Sequence, residues 1–555
     1  MAFEYPNRTN VVIVPSRHEF IDPRTLNFPI HINPFGLTEP RFLVPINPVS
    51  GFHLNHSALV QMEQERSLSL HQFMENERLV PSKEEELRRR NVIGKLKQRF
   101  IPLFDYDKIV LTWIKNVAWR HQLTTQQIGL TSATILAYGS YGLGVHGSES
   151  DVDALCVGPF FATMVEDFFV VLHNMLEKRP EVSEIHCVKD AKVPLMRFKF
   201  DGISVDLPYA RLQVLSVPEL VLLHVALAFS WYELQNVDIL APPFLWNIDE
   251  ISWKSLSGVR ANKYILQLVP NLEIFRALLR CVKFWAKRRG IYGNLLGFLG
   301  GVHLAILAAL ICQRHPNASL AALVSIFFRT FGFWPWPTPV TLLDGMMPPN
   351  VDINDKRPLM PIRLPCSCEY CHSNITRSTF HKIRAELLRG HAMTGGIFGP
   401  HFNWKNIFEP FPYLESYTEF LKISLSALDH DMLGDWVGWV KSRFRTLLLK
   451  IVVNSEASFE LILQLEEVCG FCDPNPTEYD DDFEVAKPNI VYYWGLESGG
   501  SESTDIKSIE EDFVNNLSNG YQGSPGTIKL AIVQGYELPK SMQLDTGGRN
   551  GSKAS

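Results

Sequence analysis

The sequence predicts a multidomain α+β protein. The chain has 555 residues, which is enough for several domains that each bury a core. Residues 101–213 alternate apolar, strand-like runs with amphipathic helices, residues 214–405 are mainly helical, and residues 406–540 again alternate strands with helices. We therefore predict a mixed-sheet domain, a helical central domain and a second α+β domain.

Composition limits the class of protein. Hydrophobic residues make up 46% of the chain and charged residues 20%, as in soluble globular proteins. The net charge of -6 gives no global argument for nucleic-acid binding, so such contacts must come from local basic clusters. Nine cysteines without a signal peptide favour free thiols in a reducing compartment. The apolar run Leu295–Cys312 contains His303 and three glycines, which favours a buried helix over a membrane span.

The two ends of the sequence differ from its interior. Residues 1–67 carry scattered Pro, Asn and His with little periodicity, and we predict a flexible leader there. Residues 68–100 are predicted to form N-terminal helices that pack with the central domain. One of them begins after Ser82, because glutamates fill its first turn. Residues 541–555 are predicted to be a disordered tail.

The stretch Ala137–Val157, AYGSYGLGVHGSESDVDALCV, is the most informative part of the sequence. Gly139-Ser140 opens a glycine-rich loop whose backbone can approach a phosphate closely. Asp151-Val152-Asp153 then opens a strand, so the two carboxylates point to one face. Adjacent carboxylates repel each other, and two divalent cations would remove that repulsion and activate an attacking hydroxyl. A plain strand–turn–strand with capping aspartates is the alternative, but the full pattern is more specific than two aspartates alone.

A third carboxylate is predicted on a neighbouring strand. Leu195–Phe200 and Ile203–Leu207 are strand-like runs joined by Asp201-Gly202, a strong hairpin signal. Asp206 lies inside the second run, where an unpaired carboxylate would be costly. Metal binding gives Asp206 a reason to be there, although a buried structural role is the alternative.

A basic stripe follows on the predicted helix Glu273–Arg289. Its four cations share one face and are Arg276, Arg280, Lys283 and Lys287. A solvated helix face would mix charge signs, whereas this stripe suits a triphosphate or an RNA backbone. Gly300-Gly301 then opens the next helix and permits close approach of a flat group, with close helix packing as the alternative.

The last domain is predicted from alternating patterns. A strand within Tyr413–Leu428 is followed by a helix over Asp429–Leu449. The later predicted elements are strands at 451–454, 459–465 and 489–497, a helix over Ile506–Leu517 and a strand over Thr527–Val533.

Two of these motifs support a family resemblance. GSYGLGVHGSESDVDALCVGP and FDGISVDLPYARL closely resemble the catalytic motifs of eukaryotic poly(A) polymerases, which belong to the DNA-polymerase-β-like nucleotidyltransferases. The likeness continues through RALLRCVKFWAKRRGIYGNLLGFLGGVHLA and NITRSTFHKIRAELLRG, and it covers roughly residues 68–540. It implies a plant-type enzyme with a short C-terminus. The implied fold is a polymerase-β-like nucleotidyltransferase domain at 101–213, a helical central domain at 214–405 and a ferredoxin/RRM-like RNA-binding domain at 406–540.

The resemblance also implies site residues. Asp151, Asp153 and Asp206 match the catalytic ligands of two Mg²⁺ ions, with Mn²⁺ as an alternative ion. Positions that match nucleotide contacts, besides these aspartates, are Tyr138, Gly139, Ser140, Gly147, Val152, Val193, Lys283, Lys287, Tyr292, Asn294, Gly301 and Val302. Departures from the family pattern are Gly142 for an Arg, Ser257 for an Asn, Lys192 for an aromatic residue, and His372-Ser373 near a base-contacting Thr. They bear on how strictly ATP is selected.

The implied activity is addition of AMP from ATP to RNA 3′ ends, as in mRNA polyadenylation. A terminal uridylyltransferase, a CCA-adding enzyme and a non-catalytic RNA-binding scaffold are the alternatives. The implied partners are RNA, ATP and cleavage/polyadenylation factors, with a monomeric protein and no membrane. The family implies the nucleus, and the lack of a clear C-terminal basic signal leaves a cytoplasmic form open. Cys366, Cys368, Cys371 and His372, and separately Cys469 and Cys472, have metal-ligand spacing. They are single half-sites and zinc needs four ligands brought together, so structural zinc is the less favoured alternative.

Overall fold

The computed structural model describes residues 56–97, 109–148, 150–189, 191–217, 240–343, 358–365, 367, 369–399, 401–454, 464–466, 488–496, 506–521 and 523–538. From Ser57 onward these residues belong to one compact unit. Most of the predicted leader and the predicted tail at 541–555 lie outside the described residues.

The helices are α1 (His56–Asn76), α2 (Lys83–Leu96), α3 (Ile109–Arg120), α4 (Thr125–Leu130), α5 (Gly139–Leu143), α6 (His173–Glu177), α7 (Pro242–Leu245), α8 (Glu250–Leu268), α9 (Leu272–Arg288), α10 (Gly301–Arg314), α11 (Leu320–Gly332), α12 (Arg377–Thr394), α13 (Tyr413–Ser416), α14 (His430–Asn454) and α15 (Ile506–Ser518). The strands are β1 (Thr134–Ala137), β2 (Val152–Gly158), β3 (Val182–Val188), β4 (Leu195–Phe200), β5 (Ile203–Arg211), β6 (Glu419–Ser426), β7 (Gln464–Glu466), β8 (Asn489–Leu496) and β9 (Thr527–Gln534). A π-helical segment, Met164–Leu172, leads into α6, and a 3-10 turn, Asn294–Leu296, precedes α10.

The first sheet has the strand order β1-β2-β5-β4-β3. β2 and β5 are parallel and the other pairs are antiparallel. The predicted hairpin joins β4 to β5 through Asp201 and Gly202, whose φ angles of 48° and 76° are those a tight turn requires. Helix α3 and the π-helical segment cover the sheet, with Trp113 donating to the carbonyl of Asp167 and Phe168 stacked on Tyr209.

The central core is built from α9, α10, α11 and α12. Helix α9 buries Leu278, Leu279, Val282 and Trp285, as its apolar face predicts, and begins and ends one residue earlier than predicted. Leu70 and Met74 of α1 join this core. Helix α1 also begins at His56, inside the segment that was predicted to be a flexible leader, and there Arg66 donates to the Gly399 carbonyl and Ser67 Oγ accepts from the Ala321 N–H.

Helix α2 differs from the prediction. Val92 and Leu96 are buried in the core of the first sheet and not in the central core. Arg89 of α2 donates hydrogen bonds to the carbonyls of Ser148 and Ser150, beside the predicted metal-binding strand. The N-terminal helices therefore divide between two cores, and the predicted domain boundaries remain predictions.

The last domain contains a four-stranded antiparallel sheet with the order β7-β8-β6-β9, covered by α14 and α15. The predicted strand at 451–454 is wrong, because these residues end α14. Ile451 is buried with Leu447 and Leu448 in the core, so packing overrides the strand preference of the β-branched run. Of the predicted strand at 459–465, only 464–465 lie among the described residues, in β7.

Among the described residues, no helix is both long enough and apolar enough to cross a bilayer. Cys156, Cys187, Cys281, Cys312 and Cys371 carry free thiols. The remaining predicted half-site cysteines, at 366, 368, 469 and 472, lie outside the described residues.

Candidate active site

The Gly-Ser loop wraps around Asp153. Strand β1 ends at Ala137, and the N–H of Tyr138 donates to the Asp153 carbonyl at 3.0 Å. Gly139 has a φ of 60°, and a Cβ built there would lie 1.9 Å from Oδ2 of Asp153. The backbone N–H of Ser140 donates to the same carboxylate. Only glycine at position 139 allows the loop to come this close.

The structure brings the three predicted aspartates together. One carboxylate oxygen from each of Asp151, Asp153 and Asp206 lies within 4.8 Å of the others. The parallel register of β2 and β5 places Asp153 directly beside Asp206, and Asp151 shares the face of Asp153 because side chains alternate along a strand. All of the donors are oxygens, which is the donor set that hard divalent cations such as Mg²⁺ prefer.

The electrostatics of this cluster oppose full ionisation. Burial, helped by the charges of Asp151 and Asp206, raises the pKa of Asp153 to about 7. Lys283 and the Ser140 N–H act in the opposite direction but do not compensate. A divalent cation between the carboxylates would remove the repulsion that causes the shift.

Arg197 is a functional neighbour that the sequence analysis missed. Its Nε and Nη2 donate to the two carboxylate oxygens of Asp206, each at 2.7 Å. The β4–β5 register places Arg197 opposite Asp206. The hairpin prediction fixed the turn, and counting back from it would have located this pair.

Two lysines of α9 face the aspartates across the cavity. Burial, followed by the charge of Lys287, lowers the pKa of Lys283 to about 8. The ammonium nitrogens of Lys283 and Lys287 lie 5.9 and 5.5 Å from the ring centre of Tyr292. Burial, with the nearby Asp151 and Asp153, also raises the pKa of Tyr292, so its hydroxyl stays neutral. The cavity therefore has a cationic wall suited to a polyphosphate.

The other half of the basic stripe has a structural use. Arg276 Nε donates to the Leu143 carbonyl at 3.0 Å, and Arg280 Nη2 donates to the Gly144 carbonyl at 2.5 Å. These carbonyls end α5, where a helix leaves acceptors without partners. The prediction that the whole stripe serves a triphosphate or RNA is therefore corrected: Arg276 and Arg280 hold the Gly-Ser loop, although Arg280 also reaches the cavity.

The cavity has a volume of about 890 Å³, and most of the predicted residues line it. The predicted residues in its lining are Tyr138, Gly139, Ser140, Gly147, Asp151, Asp153, Asp206, Lys283, Lys287, Tyr292, Gly301 and Val302. Val152, Val193 and Asn294 are not among the lining residues. Val152 is fully buried on the other face of β2, and Asn294 lies in the turn behind Gly300.

Helix α8 supplies further lining that was not predicted. Gly258 and Asn262 are one helical turn apart and both border the cavity. Asn262 Nδ2 donates to the Gly139 carbonyl at 3.0 Å, and the Tyr138 ring packs on Gly258. No periodicity in the sequence marks this helix face as functional, because its polar residues resemble a solvated surface.

The departures from the family pattern occupy defined places. A Cβ on Gly142 would lie 2.8 Å from Asn262 Nδ2, so this position does not accept a side chain without rearrangement. Ser257 Oγ donates to the Lys254 carbonyl, and Ser257 is not among the residues that line the cavity. Lys192 Nζ and His372 Nε2 lie 3.3 Å apart, so two of the departures meet each other.

Two family models match this chain. A family model described as the poly(A) polymerase nucleotidyltransferase domain matches residues 60–269, and one described as the poly(A) polymerase central domain matches residues 274–410. Nuclear poly(A) polymerase 3 of Arabidopsis thaliana is 54% identical over 490 residues, which cover 88% of this chain and 88% of the relative. Nuclear poly(A) polymerase 1 of the same plant is 36% identical, and the match covers 85% of this chain but 64% of that relative.

One solved structure, of a cytoplasmic RNA terminal U-transferase, matches 63% of this chain and 99% of that chain at 13% identity with a TM-score of 0.41, which is too distant to bear on function. The two family models, by contrast, match a nucleotidyltransferase domain followed by a central domain, and the first relative is matched along most of its length. The chain belongs to the poly(A) polymerase family.

Proposed function

We propose that this protein is a template-independent polynucleotide adenylyltransferase that adds AMP from ATP to the 3′ end of RNA. One observation carries the proposal: Asp151, Asp153 and Asp206 converge on one side of a cavity whose other side presents Lys283 and Lys287. Such a cavity matches a nucleoside triphosphate bound with divalent cations and an attacking hydroxyl.

The reaction forms a bond between the RNA 3′ oxygen and the α-phosphorus of ATP. The bond from that phosphorus to the bridging oxygen of the β-phosphate breaks, and pyrophosphate leaves with its electron pair while the hydroxyl proton passes to solvent. Mg²⁺, with Mn²⁺ as the alternative, would supply charge neutralisation and activation of the hydroxyl when bound to the three carboxylates. The residues of the chain orient the RNA hydroxyl and the triphosphate toward each other.

The proposed roles follow position. Asp206, on β5, would hold the ion that activates the RNA hydroxyl, and Asp151 and Asp153 would hold the ion that neutralises the triphosphate. Lys283 and Lys287 bind phosphate oxygens, and the N–H groups of the Gly-Ser loop fix the phosphates against β2. The wall formed by Tyr292, Gly301 and Val302 receives the base. Asn294, which lies beside Gly300, supports this wall from behind. Val152, buried on the other face of β2, supports the strand that carries Asp151 and Asp153. The family resemblance assigns Val193 to the base side.

The proposal also covers the setting of the reaction. The named relatives are nuclear poly(A) polymerases, which supports the nucleus as the compartment, with cleavage and polyadenylation factors as partners. The sheet domain of α14 and α15 is proposed to bind RNA. Terminal uridylyl transfer is the second candidate, because Lys192 and His372 pair with each other at positions where the family pattern differs.

RNA-primer extension with Mg²⁺ and each nucleotide separately tests the proposal. The test compares Asp206→Asn with Asp201→Asn, an aspartate in the same hairpin that instead pairs with Lys95 at 2.9 Å. Extension with ATP by the wild type and by Asp201→Asn, lost in Asp206→Asn, supports the proposal. Extension with UTP alone would support the second candidate. Equal activity of Asp206→Asn and the wild type would refute the mechanism.

A further inference from the structure

The residues on either side of the turn between α9 and α10 form one wall of the cavity. Tyr292 lies just before the turn, and Gly301 and Val302 lie just after it. The two sides are tied together, because the Gly293 N–H donates to the Leu299 carbonyl at 3.0 Å and Tyr292 bridges to Leu299. A displacement of the turn would therefore move this wall on both sides.

Asn374 binds the turn at Asn294 and is not among the residues that line the cavity. Its backbone N–H donates to Oδ1 of Asn294 at 3.3 Å, and its Nδ2 donates to the Asn294 carbonyl at 3.1 Å. Asn374 is buried, with 8% of its surface exposed. A Cβ on Gly297, which has a φ of 84°, would lie 3.2 Å from the Asn374 carbonyl, so the turn and the loop are in close contact.

Arg445 of α14 completes this network from the C-terminal lobe, which is the last domain, formed by β6 to β9, α14 and α15. Its Nη1 donates to Oδ1 of Asn374 at 2.8 Å. A guanidinium only donates, so it selects the oxygen of the Asn374 amide and thereby directs the amide nitrogen toward Asn294. Arg445 thus sets the orientation of the side chain that holds the turn.

Apolar packing also links the turn to the C-terminal lobe. Leu296, in the middle of the turn, packs against the central core and also against the core of the C-terminal lobe. The turn therefore lies between the two lobes, held by a polar contact on one side and an apolar contact on the other.

We propose that Arg445 and Asn374 are positioning residues for nucleotide binding, through which the C-terminal lobe sets the affinity and base preference of the cavity. They act by fixing the Gly293–Gly297 turn, and with it Tyr292, Gly301 and Val302. This inference rests on the proposed function, because it assigns the cavity to a nucleoside triphosphate.

The test compares Arg445→Met with Arg443→Met. Both changes remove one positive charge from α14, but Arg443 stacks on Trp439 at 3.2 Å and donates to Ser442, without reaching Asn374. We expect Arg445→Met to raise KM for ATP about tenfold, the scale of one lost charge-assisted hydrogen bond, and to leave KM for RNA equal to that of Arg443→Met. We also expect its preference for ATP over GTP and UTP to fall, and Arg445→Lys to recover part of the loss.

Asn374→Asp is the second variant, since its side chain keeps an acceptor for Arg445 but cannot donate to the Asn294 carbonyl. It should raise KM for ATP as much as Arg445→Met does, and its melting temperature should stay within a few degrees of the wild-type value. Nucleotide dissociation constants for ATP, GTP and UTP, measured by displacement of a fluorescent ATP analogue, separate this inference from the proposed function. If the wild type does not extend RNA but Arg445→Met alone loses ATP affinity, the proposed function fails and the inference stands. If Arg445→Met matches Arg443→Met in dissociation constants, the inference is overturned whether or not the wild type extends RNA.

Discussion

The guanidinium of Arg197 lies across the carboxylate of Asp206, with Nε and Nη2 each 2.7 Å from an oxygen. The hydrogen bonds to Asp206 raise the pKa of Arg197, so the guanidinium stays charged. Because the same carboxylate belongs to the three-aspartate cluster, Arg197 and a divalent cation act on one set of oxygens. Positive charge from Arg197 lowers the attraction of Asp206 for a cation.

The first prediction follows from this competition. Replacing Arg197 with Met should tighten Mn²⁺ binding in the absence of nucleotide, by about three- to tenfold, the scale of a partly exposed charge interaction. Electron paramagnetic resonance titration of free Mn²⁺ measures it. Lys199→Met is the control, because Lys199 lies two residues along β4 and pairs with Glu184 instead. Weaker Mn²⁺ binding by Arg197→Met would show that Arg197 supports the ion.

The second prediction concerns pH. Since the pKa of Asp153 is raised to about 7, a proton competes with the cation below that pH. Apparent Mn²⁺ affinity should rise between pH 6 and pH 8 and then level off. The stability of the metal-free protein should change in the opposite direction. The folded protein binds this proton more tightly than the unfolded chain, so the free energy of unfolding falls as pH rises toward 7. Melting temperatures without metal, compared with those of Asp153→Asn, measure this, and a flat wild-type profile would contradict it.

The third prediction concerns Lys283. Its pKa is lowered to about 8, so its positive charge is present below that pH and lost above it. ATP affinity should therefore decline as pH rises from 7.5 to 9. Lys283→Met should weaken ATP binding about tenfold or more at pH 7 and remove the decline, because charged phosphate contacts are strong. Isothermal titration at several pH values measures both effects, with the exposed Lys254→Met as the control. A decline that persists in Lys283→Met would assign it to another group.

The fourth prediction uses two glycines with positive φ. Gly139→Ala should abolish metal-dependent activity, because its Cβ would meet Oδ2 of Asp153 at 1.9 Å. Gly202→Ala meets nothing within 4 Å and shares the positive φ, so it should cost only about 1 kcal/mol of stability and keep activity. Primer extension and thermal unfolding of both variants measure the difference. An active Gly139→Ala protein would mean that the loop lies elsewhere when substrate is bound.

The fifth prediction concerns stability far from the chemistry. Arg289 and Glu386 form a buried bidentate ion pair between α9 and α12, at 2.7 and 2.9 Å. Glu386→Gln leaves the buried guanidinium without its charge partner, and we expect a loss of about 3–5 kcal/mol in the free energy of unfolding. Glu409→Gln breaks the exposed pair with Arg389 and should cost less than about 1 kcal/mol. Urea unfolding curves measure both, and equal losses would contradict the assigned burial effect.

Much of the site could be predicted from local patterns. The Asp-Gly turn determined the β4–β5 register, and the two-residue period placed Asp151 and Asp153 on one face. Arg197 could have been located by counting back from the predicted turn, whereas Asn262 could not be predicted as a site residue, because its partner Gly139 is distant in sequence. The whole basic stripe was predicted to have a single role. A helical period shows which residues share a face of the helix, but it does not show what that face contacts.

The C-terminal lobe shows a different limit. Its strands β6, β8 and β9 were predicted, whereas the last turn of α14 was predicted as a strand. The run at 451–453 is β-branched, and only the packing of Ile451 in the core decides in favour of a helix. The contact of Arg445 with Asn374 joins two domains, and no pattern within either domain indicates it.

The parallel pairing of β2 with β5 has a kinetic consequence. The β4–β5 hairpin can form early because its contacts are local, but Asp206 meets Asp153 only when β5 docks beside β2, after the intervening chain has closed a loop. This docking step brings like charges together, so the repulsion opposes the closure of the sheet itself. A divalent cation present during refolding should therefore speed the late step, which makes the ion an aid to folding before it serves any reaction.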